Sequence, residues 1–182
     1  LFNQVQLTET GADFSCTSLG NDPVGLASPV TMRGVTAAYL FANTLVVLEV
    51  TEEVLRQTLE RCAAYFTLVD GQPQISEEFL LPKVEHYNYD FYAGLSYTFD
   101  LRRPVGSRVI HLTKLDGSPL GSGKFRLCTS NYRATGTGGY EILRKCPVLW
   151  RGGTEMPDLT ARYIQAHSPM PQLHNVEMRV IW

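Results

Sequence analysis

The stretch that most constrains this chain is Asn43–Val50, NTLVVLEV, which runs without a linker into Thr51-Glu52-Glu53. Aliphatic and β-branched side chains succeed one another almost unbroken, so both faces of a strand formed there are apolar and both must be covered. Thr51 offers a hydroxyl to cap a helix, and Glu52 and Glu53 sit in its first turn, where exposed N–H groups favour carboxylates. Val54, Leu55, Leu59, Cys62, Ala63 and Phe66 then recur at helical spacing. The unit predicts a central strand followed by an amphipathic helix that packs on the sheet.

The flanking segments extend this picture. Leu1–Ser18 alternates loosely, with Val5, Leu7, Phe14 and Cys16 as inward candidates, and predicts an extended entry segment and a strand. Leu19–Val30 is rich in Gly, Asn, Asp and Pro and reads as a loop, after which Thr31 caps a short helix through Leu40. Asp70–Pro73 supply turn residues, and Ser76–Leu81 suits a further helical turn. The aromatic run Tyr87–Tyr92 leads through Gly94 into Leu95, Tyr97, Phe99 and Leu101, which alternate as a half-buried strand; Tyr87, Tyr89 and Phe91 read mainly as core. Arg108–Leu115 and Lys124–Ser130 come next as strands on either side of Asp116-Gly117 and Pro119. A short apolar piece comes after Tyr140, then Pro157 opens a helix containing Leu159, Ala161, Tyr163 and Ile164, and Val176–Trp182 forms a closing strand. Strands outnumber helices and several are joined by short turns. The expected class is α+β, with a mixed, largely antiparallel sheet and packed helices in one domain over residues 1–182.

Composition narrows the function. A formal net charge of −2 with no block of like charges argues against a groove for a nucleic-acid polymer. No apolar run is long enough to cross a bilayer as a helix, so this segment is not expected to insert in a membrane. The chain opens on Leu1 and closes on Trp182 directly after a strand-like run, which suggests an excerpt of a longer polypeptide. Cys16, Cys62, Cys128 and Cys146 are widely spaced, with no CxxC; they read as small buried hydrophobes, with disulfides as the other option. His86, His111, His167 and His174 are isolated from one another and from paired acids, so no metal site is expected in this segment. No GxSxG elbow or P-loop is present, and nothing shows Asp90 and Asp100 converging. These residues suit binding better than catalysis.

The candidate site begins at Ser130-Asn131-Tyr132-Arg133-Ala134-Thr135-Gly136-Thr137-Gly138-Gly139-Tyr140. Clustered glycines let a backbone turn through positive φ and approach a flat ligand or another loop, with Tyr132 as a rigid stacking face on its shoulder. A hairpin turn with one surface tyrosine is the plain alternative. Phe41, within Tyr39–Thr44, is a candidate for a second ring.

Three ordered segments resemble the C-terminal domain of the 5'-nucleotidase family, in particular its 2',3'-cyclic-nucleotide 2'-phosphodiesterase branch. They are YLFANTLVVLEVTEEVLRQTLE (39–60), YNYDFYAGLSYTFDLRRPVGSRV (87–109) and FRLCTSNYRATGTGGY (125–140). The resemblance spans roughly Ala12–Tyr140, with a weaker echo in the terminal helix and strand. It implies an exported hydrolase, located in the periplasm, at the cell surface or secreted, whose N-terminal metallophosphoesterase domain holds two divalent metal ions and does the phosphoester chemistry. The C-terminal domain, inactive alone, then binds the nucleoside or nucleotide substrate. By motif, Phe41 and Tyr132 resemble the two stacking rings and Asn43 the amide at the base edge, with Gly136 and Gly138 in the loop beside them. Gly138 stands where the 5'-nucleotidase branch carries an acidic ribose contact, and Leu19-Gly20-Asn21-Asp22 replaces its arginine-bearing GGxR; Arg133 and Asp90 are the candidate substitutes. A non-catalytic adhesion or interaction module with a decayed nucleotide site is the competing reading.

Overall fold

The computed structural model describes residues 1–172 and 177–182; His174 and Val176 therefore lie outside the described residues. Ten strands are present among the described residues: β1 (Phe14–Ser18), β2 (Thr44–Val50), β3 (Phe66–Val69), β4 (Gln72–Ile75), β5 (Asp90–Ala93), β6 (Leu95–Asp100), β7 (Val109–Lys114), β8 (Phe125–Ser130), β9 (Val148–Glu155) and β10 (Glu177–Ile181). The α-helices are α1 (Phe2–Thr10), α2 (Met32–Ala38), α3 (Glu52–Ala63), α4 (Asn131–Ala134) and α5 (Met156–Ala166). Five strands form a sheet in the order β5-β1-β8-β2-β9, three form another in the order β10-β6-β7, and β3 and β4 make a hairpin. Only the β1–β8 and β10–β6 pairs are parallel among the described residues. The sheets are thus mixed and largely antiparallel, as the sequence predicts.

β2 is the interior strand that its composition demands, paired with β8 on one side and β9 on the other. Its side chains alternate between two cores. Val46, Leu48 and Val50 point into a core shared with Leu55, Leu59 and Cys62 of α3 and with Tyr97 and Phe99 of β6. Leu45 and Val47 point the other way, toward Val5 of α1 and Met156, Leu159 and Tyr163 of α5. The period of two thus gives helices to both faces. Thr51 caps α3 by accepting the Val54 N–H at 3.4 Å, and Thr31 caps α2 by accepting that of Gly34 at 3.1 Å.

The entry segment is a correction. Residues expected to be extended form helix α1, whose buried face carries Asn3, Val5 and Gln6 and is therefore not legible as an apolar stripe. Asn3 docks by polar contacts, donating its amide to the Phe91 carbonyl at 2.9 Å and accepting the Ser15 hydroxyl at 2.8 Å. The four cysteines are free thiols; Cys16, Cys62 and Cys128 are buried and Cys146 is partly exposed. No helix of the described residues is long and apolar enough to cross a membrane.

Candidate functional site

Four chain segments meet at one end of the five-stranded sheet because of strand direction. β1 and β8 are parallel, so their C-terminal residues Ser18 and Ser130 finish on the same side. β5 and β2 run against them, and their N-terminal ends reach that side: Asp90 lies opposite Ser18, and Leu45 opposite Ser130. The segments leading into β2 and β5 therefore converge with those leaving β1 and β8.

There Ser18, Phe41, Asn43, Tyr87 and Tyr132 line a cavity of about 250 Å³. Phe41 is fixed by edge-on contacts, with Tyr39 at 6.2 Å and 90° and with Tyr87 at 6.2 Å and 67° between ring centroids. Tyr132 is 38% exposed and sits in the single turn α4, capped by Ser130, which accepts the Arg133 N–H at 3.0 Å. Asn131 ties that turn to the facing segment by accepting the Thr44 N–H at 3.1 Å. Asn43 gives one amide N–H to the Tyr39 hydroxyl at 3.4 Å, and its backbone carbonyl accepts the Met156 N–H at 2.9 Å. An amide has two N–H donors and an acceptor oxygen, so Asn43 keeps hydrogen-bonding capacity for the cavity.

The structure thus brings Phe41, Asn43 and Tyr132 together. Asp90 and Arg133 are not among the lining residues: they pair with each other, their side chains 1% and 2% exposed. Arg133 donates through Nε and Nη2 to the two Asp90 carboxylate oxygens at 2.9 and 2.8 Å, through Nη2 to the Tyr87 carbonyl at 2.9 Å and through Nη1 to that of Thr137 at 2.7 Å. Its guanidinium lies 4.1 Å from the centre of the Tyr140 ring. One buried cation therefore holds the backbone of the Tyr87 wall and of the Gly-rich loop.

The glycines of that loop answer to the same scaffold. Gly136 and Gly138 have φ of +87° and +79°, and a Cβ on Gly138 would collide with the Asn88 side-chain oxygen and Arg133 Nη1. The Gly138 carbonyl accepts from Arg61 Nε at 2.9 Å. Tyr87 and Ser18 line the cavity without having been legible as site residues in the sequence. Alternation predicts Tyr87 in the core with Tyr89 and Phe91, but it sits in a 3-10 turn, His86–Asn88, before β5 begins. The turn breaks the alternation that would have placed it inside. Among the described residues no group of His, Cys, Asp and Glu could hold a metal ion.

The architecture is that of the C-terminal portion of nucleotidases. A structure described as a 5'-nucleotidase from Staphylococcus aureus, solved with α-ketoglutarate, superposes on all of this chain with a TM-score of 0.95 at 33% identity, the match covering 36% of that chain. The 5'-nucleotidase precursor of Thermus thermophilus shares the fold at a TM-score of 0.75 and 22% identity, over 99% of this chain and 34% of its own. The family model described as 5'-nucleotidase, C-terminal domain matches residues 1–145, and the chain belongs to that family. A 2',3'-cyclic-nucleotide 2'-phosphodiesterase/3'-nucleotidase of Haemophilus influenzae is 30% identical to it over 89% of this chain. The chain spans only 27% of that relative's length.

Proposed function

We infer that this domain recognises the base of a nucleoside or nucleotide by holding it between the rings of Phe41 and Tyr132, with the Asn43 amide at its edge. The observation that carries the reading is the shared cavity: residues far apart in sequence supply two rings and an amide to one space of about 250 Å³. That volume lies just under the roughly 300–1,000 Å³ of small-molecule sites, in keeping with one planar ring system whose sugar and phosphate project outward. The domain is an excerpt of a longer chain. Phosphoester hydrolysis belongs to an N-terminal metallophosphoesterase domain with two divalent metal ions, in a protein working outside the cytoplasm. Support for this comes from family membership and from relatives several times longer than this chain.

Stacking of a base on an aromatic ring contributes about 1–3 kcal/mol per ring. Calorimetry with adenosine is expected to show binding that weakens on the order of tenfold or more in Phe41→Ala and again in Tyr132→Ala. No heat with adenosine, or affinity unchanged in both variants, would refute base stacking and favour the interaction-module reading.

A further inference from the structure

Beside the first cavity lies a larger one, of about 340 Å³. Tyr65, Phe66, Tyr89 and Phe91 wall it, with His86 and Asn21 as polar members. The two spaces flank the same two backbone stretches: Ser18 lines the first and Leu19 the second, Tyr87 the first and His86 the second. Consecutive Cα atoms are about 3.8 Å apart, so the cavities share these two stretches of wall. The rings of the second are braced against one another, with centroids 4.9 Å apart for Tyr65–Tyr89, 5.8 Å for Phe66–Tyr89 and 5.0 Å for Tyr89–Phe91.

Its polar atoms are few and partly uncommitted. Tyr65 Oη and His86 Nδ1 hydrogen-bond at 2.8 Å, which orients the imidazole and leaves Nε2 as its other hydrogen-bonding atom. Asn21 donates its amide to the Val84 carbonyl at 2.9 Å and keeps its amide oxygen. Rigid ring walls with a small number of placed polar groups suit a planar heteroaromatic group.

We propose that this cavity is a second base subsite serving the same ligand, so that the domain takes molecules in which two nucleosides are joined through a phosphodiester. The inference rests on the base-stacking reading of the first cavity. The shared walls at Ser18-Leu19 and His86-Tyr87 name the occupant: a second ring system of one molecule.

The test is calorimetry on this chain in metal-free buffer, with adenosine and with adenylyl-(3'→5')-adenosine as probes. The dinucleotide is expected to bind about tenfold tighter than adenosine. Phe91→Ala and, independently, His86→Gln should each remove most of that gain and leave adenosine affinity as it is. Phe41→Ala should weaken both ligands. Adenosine binding with no gain for the dinucleotide overturns the second subsite alone, as does a gain that survives both variants. Absence of adenosine binding overturns the base-stacking reading and this inference with it.

Discussion

Removing the Asp90 carboxylate is expected to cost this fold more than any other single charge deletion near the site. Asp90→Ala leaves Arg133 in place with its side chain 2% exposed, still bonded to the Tyr87 and Thr137 carbonyls but with its two carboxylate contacts gone. Each hydrogen bond to a charged group is worth about 1.5–3 kcal/mol, and stranding one partner of a buried pair typically costs about 3–5 kcal/mol. Against a domain stability of about 5–15 kcal/mol that is a large fraction. The assay is urea unfolding followed by far-ultraviolet circular dichroism, with Glu52→Gln as control. Glu52 pairs with Arg56 at 3.0 Å on the surface of α3, both side chains about a third exposed. A pair of that kind contributes only about 0.3–0.5 kcal/mol. Asp90→Asn/Arg133→Met should recover part of the Asp90→Ala loss, because no unpaired charge remains. The recovery stays incomplete, since the two carbonyls lose their donor. An Asp90→Ala protein within about 1 kcal/mol of the parent would refute the picture of a dry, unrelieved ion pair behind the cavity.

Other outcomes rest on single features. Gly138→Ala combines φ of +79° with a collision against Asn88 and Arg133, so a loss of at least about 2 kcal/mol is expected in the same unfolding assay. Thr51→Ala removes the α3 cap and should cost about 1 kcal/mol. Burial, reinforced by the Asp90 carboxylate, pushes the Cys62 thiol from 9.0 up to about 12, and burial likewise pushes the Cys128 thiol up to about 12. These thiols stay protonated when folded and ionise at lower pH when unfolded, so their contribution is intact below about pH 9 and is lost as pH rises toward about 12. Unfolding midpoints should therefore fall between about pH 9 and 11; midpoints flat across that window would contradict it. In the native protein at about pH 8, Cys146 is expected to react first with a thiol reagent and Cys16, Cys62 and Cys128 only on unfolding.

How much of this is legible in the sequence depends on whether local and global preferences agree. β2 and α3 announce themselves because an apolar run, a capping hydroxyl and helical spacing all say the same thing. α1 is concealed because its buried face is Asn3, Val5 and Gln6, a helix held by amide contacts. β9 gives little signal: it is a mostly exposed edge strand containing Arg151, Gly152 and Gly153, and it is recruited by pairing with β2. The β3–β4 hairpin is hidden by Pro73 within a polar strand of four residues. At the site, Tyr132 is flagged by the Gly-rich loop and Phe41 and Asn43 by the motif that runs into β2, and the structure places all three around one cavity. Tyr87 cannot, since a three-residue turn decides which way it faces. That Asp90 and Arg133 face each other across 43 positions of sequence is not visible either, because neither carries a local pattern.

The parallel pairing of β1 with β8 sets Phe14 beside Leu127, so the strands that end at Ser18 and lead to Tyr132 are together only after most of the polypeptide exists. A nascent chain emerging from the ribosome holds Ser18 and Phe41 long before it holds Tyr132, and it cannot grip anything between them. On the base-stacking reading, bound ligand would report that synthesis has passed the glycine turns and that β8 has paired with β1. A nucleoside in the folding medium should accordingly favour the finished domain and have no hold on a fragment cut short before Phe125.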